Sequence, residues 1–203
     1  MKIICVGRNY VDHAKELKNE VPKEPVLFLK PETAIIHKNM PFFIPDFSNE
    51  VHHELELVVK INKLGKHINE KFAHKYYNEV TVGIDFTARD VQAECKAKGL
   101  PWEKAKAFDG SALVGKLIAK EKLKDVNSIV IEMHKNGEVV QKGNTKDMVF
   151  TIDKLIAYIS QYFTLKIGDL IFTGTPAGVA KVIKEDTLKL FLEDEQLAQV
   201  SVK

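Results

Sequence analysis

The sequence predicts one mainly β domain with a few helices, an α+β protein folded as a β-roll or barrel. Short segments rich in β-branched residues recur along the chain, whereas helical patterns are few and do not alternate with them as in a parallel doubly wound sheet. The 203 residues, 45% of them hydrophobic, are enough to bury a full core. Neither a repeat nor a linker interrupts the chain, so we expect a single domain over residues 1–203.

Strand patterns follow one another along most of the chain. Between two of them, Asn136-Gly137 supplies the positive φ of a type I′ turn and predicts a hairpin, and the polar tip Asp194-Glu195 predicts a second one. The predicted strands cover residues 2–6, 26–29, 51–61, 80–86, 128–134, 138–142, 169–173, 187–192 and 197–202.

The clearest helix is predicted over residues 88–98. Thr87 and Asp90 form a T-x-x-D pattern that predicts a capping box, and Gly99 followed by Pro101 predicts its end. Further helices are predicted over residues 151–163, where apolar residues recur at helical spacing, and over the weaker segments 69–78 and 10–18.

Charge and composition argue against two classes of partner. The 30 basic and 28 acidic residues are interspersed along the chain. The sequence therefore contains no cluster of basic residues that would favour binding to nucleic acid or to an anionic membrane. No apolar run approaches the ~18 residues of a membrane span, and no apolar leader is present, so we expect a cytosolic (cytoplasmic) protein. Cys5 and Cys95 lie in apolar patterns and are predicted to be reduced packing residues.

Three carboxylates form a candidate metal site. Strand alternation places Glu54 and Glu56 on one face with Cβ atoms ~6–7 Å apart, which suits either a divalent cation or a solvated edge strand. Asp85 is the single acid of an apolar strand that precedes the best helix, where it is either a ligand or a second N-terminal cap. Together they would form an oxygen-only site suited to Mg²⁺ or Mn²⁺.

Histidines offer two further interpretations. His52 and His53 raise the alternative of zinc, but neither H-E-x-x-H nor Cys/His spacing accompanies them. His13 and Glu16 lie three residues apart on a predicted helix, where a carboxylate can orient an imidazole as a general base. The same pair also suits an ordinary surface contact.

Arginine and glycine mark other candidate ligand contacts. Lysine supplies most of the positive charge, so the two arginines, Arg8 and Arg89, stand out. Each is a position where a planar guanidinium group is expected to serve either a ligand or a structural ion pair. Segments 99–110 and 173–179 carry glycines that allow close backbone approach to an anion, although a tight turn explains the second equally well.

Six ordered motifs resemble those of the fumarylacetoacetate hydrolase family, and most of all its small acylpyruvate hydrolases. The likeness covers nearly the whole chain, and it implies a mixed β-roll, usually in a homodimer. The motifs are GRNYVDHAKEL, EPVLFLKPETAI, VHHELELVV, IDFTARDVQ, KGLPWEKAKAFDGS and LIFTGTPAGV.

The resemblance also implies a role for each candidate residue. The implied metal ligands are Glu54, Glu56 and Asp85. The implied catalytic residues are His13 and Glu16, on a mobile lid over residues 8–20, and Lys106 beside the substrate. The implied substrate-binding residues are Arg89, Gln92 and Thr175.

We therefore expect a Mg²⁺-dependent hydrolase that cleaves a carbon–carbon bond in 3-acylpyruvates to pyruvate and a carboxylic acid. The substrate would be a small 2-oxo acid whose enolate is stabilised by the metal and Lys106. The first alternative keeps this site for oxaloacetate decarboxylation or keto–enol tautomerisation, which need no attacking water. The second alternative, from another class, is a non-catalytic protein that binds dicarboxylates.

Overall fold

The computed structural model describes residues 1–16 and 20–203, without the side chains of residues 13–15. In this part of the chain the strands are β1 (Ile3–Gly7), β2 (Val26–Lys30), β3 (Val51–His53), β4 (Leu55–Ile61), β5 (Tyr77–Asp85), β6 (Thr87–Ala88), β7 (Ala112–Val114), β8 (Ile118–Ala119), β9 (Val130–Lys135), β10 (Glu138–Asn144), β11 (Leu170–Phe172), β12 (Ala180–Lys181), β13 (Thr187–Leu192) and β14 (Glu195–Ser201). The helices are α1 (Val11–Glu16), α2 (Glu70–Ala73), α3 (Arg89–Lys98), α4 (Glu103–Lys106) and α5 (Ile152–Tyr162), and short 3₁₀ turns cover Glu32–Ala34, Lys120–Lys122 and Thr145–Asp147.

Three sheets organise the described residues. The largest runs in the order β2-β1-β11-β4-β5-β7, and β8 also pairs with β5. Its β1–β11 pair is parallel, whereas its other pairs, such as β4–β5, are antiparallel. A second sheet runs β10-β9-β13-β14, and a small third sheet runs β12-β3-β6. This mixed, mainly β architecture is the predicted one.

The hydrophobic core lies between the sheets and is closed by α5. Thr151 caps α5 by accepting a hydrogen bond from Lys154 N, and the apolar face of this helix is buried against α2. Phe42 and Phe86 stack in the core with ring centroids 3.8 Å apart and planes at 3°. Phe42 and Phe86 are both buried, so this stacked pair belongs to the close-packed interior.

Two of the predicted elements are divided or shortened. The strand expected over residues 51–61 is interrupted at Glu54, which separates β3 from β4. The helix expected over residues 69–78 is confined to α2, because the chain enters β5 at Tyr77. Tertiary pairing overrides local helical periodicity at that point.

The predicted capping box is wrong. Thr87 lies in β6, paired with His52, and its Oγ1 donates to Asp85 O at 3.3 Å. The carboxylate of Asp90 accepts from Ser48 Oγ at 2.6 Å and from Val91 N at 2.9 Å, so it does not bond back to Thr87 as a capping box requires. The N-cap is Ala88, which has no capping side chain.

Both predicted hairpins are present, and the second is displaced by one residue. Asn136 and Gly137 adopt φ of 55° and 95°, as a type I′ turn requires. The second hairpin turns one residue earlier than predicted, since β14 already begins at Glu195. Cys5 and Cys95 are buried and unpaired, as predicted. Among the described residues, no helix combines the length and apolar character needed to cross a membrane.

Candidate metal and active site

Three carboxylates converge where β4 and β5 meet. Glu54 lies at the break between β3 and β4, Glu56 follows in β4, and Asp85 ends β5. The backbone N–H of Asp85 donates to Glu54 O at 2.9 Å, which holds the two chain segments together. One oxygen of each side chain lies within 4.8 Å of the other two, and all three side chains are buried. The structure thus brings together the three acids that the sequence analysis selected.

Cations of the chain surround these acids. Lys106 Nζ lies 2.7 Å from Glu54 Oε2 and 2.6 Å from Asp85 Oδ2, so its ammonium bridges two carboxylates. Lys30 Nζ lies 2.8 Å from Asp85 Oδ1, and Arg89 Nη2 contacts Glu54 Oε1. Within the described residues, three buried or half-buried cations therefore surround the group of three buried acids and pair with Glu54 and Asp85.

The electrostatics of the group follow from its burial. Burial raises the pKa of Glu56 well above its usual range, the negative charges of Asp85 and Glu54 raise it further, and a 2.7 Å hydrogen bond from Gly174 N opposes the rise. For Lys106, burial lowers the pKa, but attraction to Asp85 and Glu54 outweighs it and leaves the pKa above its ordinary value. The charged form of the buried Glu56 carboxyl is therefore disfavoured by its surroundings.

The donor set fits a divalent cation. Its ligand atoms are carboxylate oxygens, which hard cations such as Mg²⁺ and Mn²⁺ prefer. Asp85 Oδ1 is buried without a hydrogen bond among the described residues, although Lys30 lies near it outside hydrogen-bonding geometry. The two histidines that suggested a zinc site have other hydrogen-bond partners. His53 Nδ1 lies 2.9 Å from Gln141 Oε1, and His52 Nε2 lies 3.3 Å from Glu50 Oε2.

A cleft of about 400 Å³, counting the space that opens to solvent, leads to this group. Phe28 and Trp102 form an apolar wall with ring centroids 6.1 Å apart, and Lys106 Nζ lies 5.0 Å from the centre of the Phe28 ring. The lining residues are Val6, Gly7, Arg8, Phe28, Glu54, Glu56, Asp85, Arg89, Gln92, Lys96, Trp102, Lys106 and Thr175. They include all the predicted metal ligands and substrate-binding residues.

The predicted dyad is only partly described. The side chain of His13 lies outside the described residues, as do residues 17–19 of the expected lid. Glu16 ends α1, and its two carboxylate oxygens accept from Gly178 N at 3.1 and 3.3 Å. This bond joins α1 to the loop that carries Thr175.

Both glycine-containing segments contribute to the cleft. Gly174 adopts a φ of 102°, and its N–H is directed to Glu56 rather than to an external anion. Segment 99–110 supplies Trp102 and Lys106 to the wall and the acid group.

Lys30 and Gln141 were not predicted. The Lys30 side chain is completely buried and donates to Ser111 Oγ at 2.9 Å as well as to backbone carbonyls. A lone charge that ends the apolar strand Val26–Lys30 is the signal that could have identified Lys30, as it did for Asp85. Gln141 lies in a different sheet, and no local pattern of the sequence relates it to the site.

Comparison with known proteins places these features in context. A family model described as the fumarylacetoacetate hydrolase C-terminal domain matches residues 2–203. The chain is 43% identical over 201 residues to the mitochondrial oxaloacetate tautomerase of Mus musculus, covering 99% of this chain and 91% of that one. It is 44% identical to the oxaloacetate tautomerase of Escherichia coli, covering 97% and 90%. It is also 44% identical to a mitochondrial oxaloacetate decarboxylase of Dictyostelium discoideum, covering 93% and 87%.

Solved structures agree with the fold. A putative fumarylacetoacetate hydrolase family protein from Yersinia pestis superposes with a TM-score of 0.95 at 41% identity, covering 100% of this chain and 93% of that one. The fumarylpyruvate hydrolase of Pseudomonas aeruginosa, solved in complex with Mn²⁺ and pyruvate, superposes with a TM-score of 0.92 at 32% identity, covering 100% and 89%.

These comparisons change two expectations. The relatives support oxaloacetate tautomerisation or decarboxylation, the first alternative of the sequence analysis, better than its main expectation of acylpyruvate hydrolysis. The expected cytosolic location is contradicted, because the mouse and Dictyostelium relatives are named as mitochondrial. That expectation rested on the absence of an apolar leader, whereas mitochondrial leaders are amphipathic and rich in arginine, so an apolar run does not report on them.

Proposed function

Because the chain belongs to the fumarylacetoacetate hydrolase family, we propose that it is a divalent-metal-dependent enzyme that interconverts the keto and enol forms of oxaloacetate. One observation carries the proposal: the Lys106 ammonium lies between two of three buried carboxylates at the end of a cleft. This arrangement suits a reaction that develops negative charge on a carbonyl oxygen.

Glu54, Glu56 and Asp85 would hold the cation, either Mg²⁺ or Mn²⁺. A bound divalent cation supplies Lewis-acid polarisation of a 2-oxo acid. The Mn²⁺ and pyruvate in the fumarylpyruvate hydrolase of Pseudomonas aeruginosa support a metal and a ligand of this kind. Lys106 adds a fixed positive charge beside the enolate oxygen, where preorganised charge lowers the barrier most. The apolar wall of Phe28 and Trp102 keeps bulk water from this charge.

The cleft also favours a substrate with a second carboxylate. Among the described residues, three cations already face the three acids, and Arg8 and Lys96 add positive charge to the lining. Partial desolvation lowers the pKa of Lys96, and the nearby positive charges of Arg8 and Arg89 lower it further. A C4 dicarboxylate such as oxaloacetate complements this surplus better than a monoanionic acylpyruvate.

The proposed reaction moves one proton within the substrate and consumes no water. One proton leaves C3 of the keto form, the C2–C3 bond becomes double, and one proton is delivered to the C2 oxygen. The residues that line the cleft supply binding, orientation and charge for this step. The names of the mouse and Escherichia coli relatives support it directly.

Hydrolysis of 3-acylpyruvates is the second candidate, favoured by the close superposition on a fumarylpyruvate hydrolase. This reaction needs an activated water, for which the sequence analysis selected His13 and Glu16. His13→Ala separates the two, because tautomerisation needs no attacking water. We expect oxaloacetate turnover to survive this change and any acylpyruvate cleavage to be lost.

The decisive experiment compares oxaloacetate, acetylpyruvate and fumarylpyruvate with the same protein. Loss of the enol absorbance of oxaloacetate, release of pyruvate and cleavage of the acyl substrates are followed with Mg²⁺, with Mn²⁺ and after chelation. We expect metal-dependent tautomerisation to have the highest kcat/KM. A higher kcat/KM for acylpyruvate cleavage, or tautomerisation that persists without metal, would refute the proposal.

A pair of variants on α3 tests the dicarboxylate preference. Lys96→Met should raise KM for oxaloacetate about tenfold and change KM for acetylpyruvate little, because it removes charge that only the second carboxylate uses. Lys98→Met is the matched control, since Lys98 is exposed and pairs with Glu94 outside the cleft. Equal effects of Lys96→Met on both substrates would show that Lys96 does not contact a second carboxylate.

We also propose that the enzyme is a homodimer, as the family resemblance implies. Met40, Phe43 and Phe47 expose large apolar side chains, which supports association of two copies. Light scattering of the eluted protein should give the mass of two chains, and the mass of one chain would reject this part of the proposal.

A further inference from the structure

Gln141 connects the metal-ligand strand to the substrate loop. It lies in β10 of the second sheet and is only 2% exposed. Its Oε1 accepts from Leu55 N at 3.0 Å and lies 2.9 Å from His53 Nδ1. Its Nε2 donates to Thr175 Oγ1 at 2.9 Å and to Pro176 O at 3.1 Å. All four contacts of this amide are buried.

These partners fix the orientation of the amide. A backbone N–H only donates and a backbone carbonyl only accepts, so Oε1 must face Leu55 and Nε2 must face Pro176. His53 consequently carries its proton on Nδ1. Thr175 Oγ1 must accept from Gln141, because an amide N–H₂ group has no acceptor.

The hydroxyl of Thr175 is thereby left with its own proton to donate. Within the described residues its other contact, Pro176 O, is long at 3.4 Å, and Thr175 lines the cleft. A hydroxyl that already accepts one hydrogen bond and faces an anionic ligand acts as a donor. It therefore suits a carboxylate, which only accepts.

We propose that Gln141 is a positioning residue that makes Thr175 a hydrogen-bond donor to the carboxylate of the 2-oxo acid. The inference rests on the proposed function and deepens it, because it explains how the cleft selects an ionised carboxylate. Gln141 itself does not touch the ligand. Its effect must therefore disappear when the Thr175 hydroxyl is removed.

The test is a double-mutant cycle with oxalate as the probe, a planar dianion that resembles the enolate of pyruvate. Calorimetry measures the Kd of Mn²⁺, and then the Kd of oxalate for the Mn²⁺-loaded protein. Gln141→Met removes the amide donor without adding charge, and Thr175→Val removes the hydroxyl at nearly constant volume. Gln141→Glu provides a second variant, because it keeps an acceptor for Leu55 N and loses the donor to Thr175.

We expect each single substitution to weaken oxalate binding about tenfold or more, as loss of a hydrogen bond to a charged group does. In the Thr175→Val background, Gln141→Met or Gln141→Glu should weaken it less than twofold further, and Thr175→Ser should restore most of the affinity when Gln141 is present. The Mn²⁺ Kd of the Gln141→Met protein should stay within about threefold of the wild type. If the Gln141→Met protein does not fold, Gln141→Glu replaces it in the double-mutant cycle.

Three negative results are possible, and the first has a different meaning from the other two. If the Mn²⁺-loaded wild type does not bind oxalate, the proposed function fails and takes this inference with it. If the wild type binds oxalate but the effects of the Gln141 and Thr175 substitutions add, Gln141 has only a structural role and the inference alone is overturned. An equal loss of Mn²⁺ and oxalate affinity in both Gln141 variants overturns it as well.

Discussion

Replacing Lys106 with methionine tests whether this lysine serves stability, catalysis or both. Its side chain is 4% exposed, and its ammonium lies 2.7 and 2.6 Å from two buried carboxylates. Removing one partner of a buried ion pair typically costs ~3–5 kcal/mol, since the remaining charge is left uncompensated. The metal-free Lys106→Met protein should therefore lose a large part of its free energy of unfolding.

A divalent cation should reverse this loss, because it binds the same carboxylates in the folded state only. Binding at a concentration of about 1,000 Kd adds ~4.1 kcal/mol, which is close to the expected penalty. Unfolding by urea with increasing Mn²⁺ measures this recovery. At saturating Mn²⁺, kcat on oxaloacetate should still be roughly 10²–10³-fold lower than in the wild type, as for loss of a preorganised charge at an oxyanion.

Lys104→Met is the matched control, because Lys104 belongs to the same short helix Glu103–Lys106 and is exposed. It should change stability by less than ~0.5 kcal/mol and leave kcat near normal. A Lys106→Met protein with near-normal kcat would leave the metal as the main stabiliser of the enolate. Unchanged stability without metal would show that the buried ion pairs do not hold the site together.

Three further substitutions test the site and the core. Glu56→Gln should abolish most of the Mn²⁺-dependent rise in Tm, and an undiminished rise would show that Glu56 is not a ligand. Phe42→Ala should cost ~3–5 kcal/mol in urea unfolding through loss of the stack on Phe86; a change below ~1 kcal/mol would mean that the core closes the cavity. Gly174→Ala should weaken Mn²⁺ binding and lower stability by more than Gly168→Ala, because both have positive φ but only the Gly174 methyl would meet a neighbouring carbon at 2.7 Å. Equal effects would mean that φ alone matters.

The acid group was predictable because its signals are local. Glu54 and Glu56 share a strand period, and Asp85 is a lone acid in an apolar strand, so short windows of sequence contain the information. The prediction survived even though the strand breaks at Glu54, since that break leaves both carboxylates on the side of Asp85.

The cations and amides around the acids were not predictable in the same way. Lys30 reaches Asp85 from β2, which lies four strands from β5 in the order of the largest sheet, and Gln141 reaches Thr175 from a separate sheet. Such contacts join residues far apart in sequence, so no periodicity reports them. The capping box was wrong because Thr87 also fits a strand, and pairing with β3 decided between the two.

Neither the local sequence patterns nor the long-range contacts of the site determine which reaction takes place. Tautomerisation, decarboxylation and hydrolysis share the charge that develops on the same oxygen, so one constellation of acids and Lys106 suits all three. The charge of the rest of the cleft, including Arg8 and Lys96, separates dicarboxylates such as oxaloacetate from monoanionic acylpyruvates such as acetylpyruvate, but it does not separate the reactions of oxaloacetate from one another.

The parallel pairing of β1 with β11 has a consequence for biosynthesis. Ile3 pairs with Leu170, so the edge of β1 that faces β11 has no partner until 167 more residues have been made. At synthesis rates of roughly 5–20 residues per second, this wait lasts about 10–30 s. During it the apolar strand Ile3–Gly7 presents an open edge, which is prone to pair with other chains. Protection of this strand on the ribosome, rather than the strength of the finished core, should therefore limit the yield of folded enzyme.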